Sequence, residues 1–148
     1  MVGVGGQGII LASDILTRAA MTAGHDAKKS EIHGMSQRGG SVFSHIRFGE
    51  KVYSPTISKG EADIIFSLEE METLRWIPYA NHKTFIVCAM KEILPTTVES
   101  YPEGVEKELK GLSSNINFFD TDKLIEEIGN VKFLNVAMLG MMSEKIAF

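Results

Sequence analysis

The chain is poor in the residues that carry redox and metal chemistry. A single cysteine, Cys88, in 148 residues excludes an internal disulfide and leaves no second thiolate for a metal or an iron–sulfur cluster. The four histidines, His25, His33, His45 and His82, lack the i, i+4 spacing that puts two ligands on one helix face, so no metal site is expected. Basic residues are not in excess: 15 Lys and Arg face 19 Asp and Glu, for a net charge of -4, and they are dispersed, which excludes a phosphate-backbone footprint and with it nucleic acid. No apolar run approaches the ~18 residues of a membrane span, and no signal-peptide pattern opens the chain. A cytoplasmic protein without a membrane partner is therefore expected. No G-x-S-x-G elbow, P-loop lysine, repeat or low-complexity tract is present.

What is present reads as one domain over residues 1–148, since 44% hydrophobic residues suffice for one sizeable core. From Gln7 the apolar residues Ile9, Ile10, Ala12, Ile15, Leu16, Ala19, Ala20 and Ala23 recur at three- and four-residue intervals, with Gly24 at the place of a helix C-cap. Ala27 to Ile32 reads as a short strand. Val42 to Phe48 alternates and, with Gly49-Glu50 leading to Lys51-Val52-Tyr53, suggests an antiparallel hairpin near residues 42–53. Ala62 to Leu68 and Thr84 to Ala89 have the continuous apolar character of strands buried on both faces. Helices are expected from Glu69 to Trp76, from Pro102 to about Leu109, from a Thr121 cap to Gly129, and from about Val131 to Lys145, with Met138, Met141 and Met142 near one face; Asn115 to Phe119 is a further strand. Strands alternating with helices give an α/β fold, a doubly wound, mostly parallel sheet with helices on both faces.

Two segments carry possible chemistry. Gly3-Val4-Gly5-Gly6-Gln7-Gly8 matches G-x-G-x-x-G, where absent side chains permit a tight turn and bring backbone N–H groups at a helix start close to an anion. A dinucleotide would also need an acid about 20 residues further on, for which Asp26 and Glu31 are the candidates. The bland reading is that these glycines serve helix-to-strand packing alone. In Ser36-Gln37-Arg38-Gly39-Gly40-Ser41, an arginine between small residues can present its planar fork to a phosphate or carboxylate. An ordinary solvated arginine in a turn is the bland alternative. His33 is read first as a loop or packing histidine, and the C-terminal methionines as core filler.

The Gly3–Gly8 turn followed by Ile9-Ile10-Leu11-Ala12-Ser13, taken with Glu31-Ile32-His33-Gly34-Met35-Ser36-Gln37-Arg38-Gly39-Gly40-Ser41-Val42, resembles the γ-type subunit of 2-oxoacid:ferredoxin oxidoreductases, most of all the indolepyruvate type. Tyr53-Ser54-Pro55, Gly60-Glu61-Ala62-Asp63 and Asn135-Val136-Ala137-Met138-Leu139-Gly140 continue the likeness. The resemblance implies a subunit without its own redox centre, with no catalytic residue, metal or cofactor in this chain. Thiamine diphosphate, magnesium and iron–sulfur clusters would sit on a large partner subunit, with coenzyme A as co-substrate and ferredoxin as indirect partner; a homodimer is left open for the isolated chain. By the same resemblance the domain is truncated at both ends. The residues it points to for contact with coenzyme A or substrate are Gly5, Gly6, Gln7 and Gly8, with Ser36, Gln37, Arg38, Gly39 and Gly40. The readings that compete are a free-standing dinucleotide-binding protein and a purely structural assembly subunit.

Overall fold

The computed structural model describes residues 1–33, 39–94 and 99–146, with His33 described by its backbone alone. Six strands form one sheet: β1 (Val2–Val4), β2 (Asp26–His33), β3 (Ser41–Gly49), β4 (Ile64–Ser67), β5 (Phe85–Met90) and β6 (Ile116–Asp120). They stand in the order β2-β3-β1-β4-β5-β6. β1, β4, β5 and β6 are mutually parallel, while β3 is antiparallel to both β1 and β2. Five α-helices complete the chain: α1 (Ile9–Thr22), α2 (Glu70–Trp76), α3 (Val105–Leu112), α4 (Thr121–Ile128) and α5 (Leu134–Ser143).

The two-sided burial expected of the central strands is present. Along β5, Val87 and Ala89 face one apolar cluster with Ile9, Leu16 and Phe66, while Ile86 and Cys88 face the other way. Met138 of α5 belongs to the first cluster, and Val105 and Leu109 of α3 pack with Cys88 on the second face. Alternate side chains of a strand point to opposite faces, so a strand covered on both sides must be apolar at every position. α1 and α5 thus close one face of the sheet, and α2 and α3 the other.

The antiparallel strand stands where the alternation of Val42 to Phe48 puts it, but its partner differs. Residues 51–53 form no strand; β3 pairs along its length with β2, from Asp26↔Gly49 to His33↔Val42, and on its other side with β1. Smaller differences arise at the ends. The cap of α4 is Asp120, whose carboxylate accepts from the Lys123 N–H at 3.2 Å, whereas the Thr121 hydroxyl donates to the Met90 carbonyl at 2.9 Å. Residues Val131–Phe133 form a separate 3-10 turn before α5, and Met141 is exposed while Met138 and Met142 are buried. α3 begins at Val105, three residues after Pro102.

β1 leads through α1 to one side of the sheet, and β4 leads through α2 to the other. The carboxyl edge between β1 and β4 is therefore the topological switch point, where open α/β sheets form a crevice. Among the described residues no helix is long and apolar enough to cross a membrane.

Candidate anion-binding edge at the glycine turn

At the switch point β1 and β4 share one register pair, Val2↔Ser67, and one further bond, from the Leu68 N–H to the Val2 carbonyl at 3.1 Å. Beyond it the strands part and the chain turns through Gly5–Gly8 into α1. The gap is spanned by Gln7. Its Oε1 accepts from the Val4 N–H at 2.7 Å and its Nε2 donates to the Leu68 carbonyl, so one carboxamide satisfies a backbone donor at the end of β1 and a backbone acceptor just after β4. A buried backbone group left unpaired is costly, which is why a glutamine, with donor and acceptor on one group, suits this place. The crevice that a dinucleotide diphosphate would enter is occupied by the protein's own side chain.

The start of α1 is shaped for close approach. Gly8 has φ +80, and a Cβ there would lie 2.3 Å from Asn135 Nδ2; Asn135 in turn donates to the Gly8 carbonyl at 3.0 Å. Gly8 thus ties the first turn of α1 to the first turn of α5. No acidic side chain occupies that first turn and no side chain caps it, so the partial positive charge of the helix start is not neutralised from within α1. On the β3 side, Val4, Gly5, Gly6, Gly8, Ile9, Ile10 and Val42 line a depression of about 410 Å³. A Cβ added at Gly6 would meet nothing within 4 Å.

The structure brings the glycine turn against Gly40, in the described part of the second segment. The Gly5 N–H donates to the Gly40 carbonyl at 2.8 Å, which sets the glycine turn against the residue that precedes β3. Of the nine residues singled out from sequence, Gly5, Gly6, Gln7, Gly8, Gly39 and Gly40 lie in this region; Ser36, Gln37 and Arg38 lie outside the described residues, as does the His33 side chain. The next residue, Ser41, donates from Oγ to Glu72 Oε2 at 2.5 Å.

Sequence reading missed the buried carboxylates behind this edge. Glu69 is 1% exposed; its Oε2 accepts from the Glu72 N–H at 2.8 Å, capping α2, and its Oε1 accepts from the Tyr101 hydroxyl at 2.5 Å and the Ile93 N–H at 3.3 Å. Burial, and then the bond to Glu69, pushes the Tyr101 phenol well above its usual range. Burial likewise raises Glu70, reinforced by Glu92, Glu106 and Glu69. A run such as Glu69-Glu70 before a helix signals a favourable first turn, but nothing in it reports burial.

The acids sought for a ribose are engaged elsewhere. Asp26 stands at the first residue of β2, away from the end that pairs beside the turn; its Oδ2 accepts from the Val52 N–H at 2.9 Å, and that bond, then Lys28, holds its carboxyl below the usual range. Glu31 forms an ion pair with Lys29, and β3 lies between β2 and β1. His45 is a packing residue: its Nδ1 accepts from the Ile57 N–H at 3.1 Å, its ring meets Trp76 edge-on at 5.7 Å, and burial lowers its pKa. Cys88 is fully buried against the Thr73 hydroxyl at 3.1 Å, and burial pushes its thiol up to about 12. A single cysteine cannot by itself anchor an iron–sulfur cluster, which is held by several thiolates. Among the described residues, no three His, Cys, Asp or Glu stand together as a metal site would require.

The pattern of one family, pyruvate ferredoxin/flavodoxin oxidoreductase, matches residues 1–148. The chain belongs to this family. Within it, indolepyruvate oxidoreductase subunit IorB of Thermococcus kodakarensis is 38% identical over 156 residues, covering 99% of this chain and 76% of its own. Two solved structures share the fold. The γ subunit of a keto/oxoacid ferredoxin oxidoreductase from Geobacter sulfurreducens aligns with a TM-score of 0.67 at 20% identity, over 96% of this chain and 72% of that one. The 2-oxoglutarate:ferredoxin oxidoreductase of Magnetococcus marinus aligns with a TM-score of 0.66 at 17% identity, over 97% of this chain but 23% of that chain. The same fold therefore occurs both as a separate subunit and as one part of a longer chain. The Thermococcus relative is thus a subunit of an indolepyruvate oxidoreductase, and the Geobacter structure a γ subunit of a keto/oxoacid ferredoxin oxidoreductase.

Proposed function

We propose that this family member is the γ-type subunit of a 2-oxoacid:ferredoxin oxidoreductase acting on indolepyruvate or another aryl 2-oxoacid. The reaction is oxidative decarboxylation with coenzyme A, giving an acyl-CoA, carbon dioxide and reduced ferredoxin. Thiamine diphosphate, magnesium and iron–sulfur clusters belong to a large partner subunit, which performs the chemistry and passes electrons to ferredoxin in the cytoplasm. No step of that chemistry is assigned to the present chain, which has one cysteine.

The role of this chain is to line the approach of coenzyme A or substrate with the backbone of Gly5 to Gly8 and the loop Ser36-Gln37-Arg38-Gly39-Gly40. The observation that carries the proposal is the bond from the Gly5 N–H to the Gly40 carbonyl at 2.8 Å. It joins a helix start with unneutralised positive character to Gly40, two residues after Arg38 in the sequence, and a helix start and an arginine both attract phosphate or carboxylate. Gln7 contributes by its backbone and by bracing the turn, since both ends of its side chain are engaged. Docking against the large subunit excludes water from this edge and strengthens the same contacts.

Replacing Arg38 with alanine in the assembled enzyme tests the role. The expected result is a raised apparent requirement for coenzyme A or for the 2-oxoacid, with the complex intact. An unchanged requirement overturns the ligand contact and leaves a subunit that acts by assembly alone.

A further inference from the structure

Buried carboxylates crowd the start of α2, and two of them have partners. Glu69 is held by the Glu72 and Ile93 N–H groups and the Tyr101 hydroxyl, and Glu72 by the Ser41 hydroxyl and Arg75 Nε. Glu70 is the exception. It is 7% exposed, yet among the described residues its side chain makes no hydrogen bond or ion pair. The charges that act on it, those of Glu92, Glu106 and Glu69, all share its sign. A place in the first turn of a helix accounts for an acidic residue, but not for burying one.

The Glu70 N–H donates to the Lys91 carbonyl at 3.2 Å, so the residue sits at the carboxyl edge of the sheet where β5 ends. α3, with Glu106 in its first turn, packs against α2 there. Bases on these elements are engaged with other acids: Arg75 with Glu72 at 3.2 Å, Lys91 with Asp122 at 4.0 Å, and Lys110 with Glu106. Among the described residues, the wholly enclosed side-chain atom left without a partner is Trp76 Nε1. The Glu70 oxygens, equally unpartnered, therefore keep a route to solvent.

An uncompensated buried carboxylate is costly to the isolated chain, and one that stays reachable can be completed from outside. A metal ion does not suit the place, since among the described residues no three His, Cys, Asp or Glu stand together to hold one. Both carboxylate oxygens are uncommitted, which is what the planar fork of a guanidinium requires. We propose that Glu70 is a docking residue, which receives an arginine side chain of the large subunit at the carboxyl edge beside β5. This rests on the reading that the chain works as a subunit.

The test titrates the large subunit with the wild-type chain, Glu70→Gln and Glu92→Gln, and follows association and dissociation rates. Glu92 is exposed and serves as the comparison for a merely acidic surface. Glu70→Gln keeps the shape and removes the charge. Expected for it is a dissociation constant raised at least about tenfold, mainly through faster dissociation, as for a lost buried charge pair. The isolated Glu70→Gln chain should meanwhile melt higher than wild type at neutral pH, because the uncompensated charge is gone. Equal affinity of wild type and Glu70→Gln overturns the docking role and leaves the subunit reading standing. No complex with the wild-type chain sinks the subunit reading, and the proposal with it. A Glu92→Gln complex weakened as much as Glu70→Gln shows a diffuse acidic attraction and overturns the specific pairing. So does a rise in melting temperature on adding magnesium or calcium alone that Glu70→Gln abolishes, since the occupant is then a metal ion.

Discussion

Gln7 and Leu68 are joined across the gap between β1 and β4: the Gln7 carboxamide donates to the Leu68 carbonyl while accepting from the Val4 N–H. The bond converts the usual ligand crevice of an open α/β sheet into a closed seam. Whatever meets the glycine turn must therefore do so from the β3 side, where Gly40 lies.

Gln7→Ala removes both bonds and leaves a donor and an acceptor of the backbone unpaired. The expected loss is about 1–3 kcal/mol, seen as a drop in melting temperature of the isolated chain. Gln7→Glu is the sharper variant, because a carboxylate can accept from Val4 but cannot donate to Leu68 when ionised. It should be less stable at neutral pH than in mild acid, where a protonated carboxyl recovers a donor. Equal stability of Gln7→Glu at both pH values would contradict the seam.

The two open-turn glycines should respond differently to alanine. At Gly6, with φ +101 and free space around it, only backbone strain opposes a side chain, for a cost of about 1–2 kcal/mol. At Gly8 the same strain, at φ +80, is joined by a contact 2.3 Å from Asn135 Nδ2. Gly8→Ala should thus be clearly the more destabilised in denaturant titrations. Adding Asn135→Ala should recover part of the difference, so that the double variant is less than additive.

How far these features were legible in the sequence follows from what each signal reports. Apolar spacing from Ile9 to Ala20 located α1, because burial of one helix face leaves that period in any sequence. The run Ile64-Ile65-Phe66 located a strand covered on both sides for the same reason. Alternation in Val42 to Phe48 located β3 but could not name its partner: the pattern reports which face is buried, not what pairs along the edge, and Gly49-Glu50 offered a turn that the fold does not use as a hairpin. Asp120 and Thr121 are both good caps, and only the reach of the hydroxyl to Met90 separates them. At the candidate site the glycine turn was legible as a motif. Their junction at Gly5 and Gly40 was not, nor were the parts played by Asn135, Glu69 and Glu72, since a carboxylate on a helix reads as solvated until the fold buries it.

Cys88 ties stability to pH on the alkaline side. Its thiol is raised from 9.0 to about 12 in the folded chain, so between these values the unfolded chain holds fewer protons than the folded one. Stability from this group is complete below about pH 9 and is lost as pH rises toward 12, with a slope of at most about 1.4 kcal/mol per unit. Cys88→Ala should flatten the decline between pH 9 and 10.5 relative to wild type, whatever its stability at neutral pH. The native thiol should also resist alkylation at pH 8 and react once the chain is unfolded. Rapid alkylation of the folded protein would refute its burial.

Tyr101 and Glu69 hold both flanks of the segment between β5 and α3, because Glu69 Oε1 also accepts from the Ile93 N–H. Tyr101→Phe strips a donor from a buried carboxylate and an acceptor from the Met71 N–H. The expected cost is about 1.5–3 kcal/mol, with faster amide exchange at Ile93 and Met71. A variant as stable as the parent, with exchange unchanged, would show that water replaces the phenol at no cost.

The central claim is that this chain works as a subunit, and co-expression with a thiamine- and iron–sulfur-bearing large subunit of the family tests it most directly. Pull-down is followed by an anaerobic assay of ferredoxin reduction with aryl 2-oxoacids and coenzyme A. The account expects a stable complex whose activity disappears when this chain is omitted. Failure to form a complex, together with a marked rise in melting temperature of the isolated chain on adding NAD or FAD, would contradict it and favour a free-standing nucleotide-binding protein.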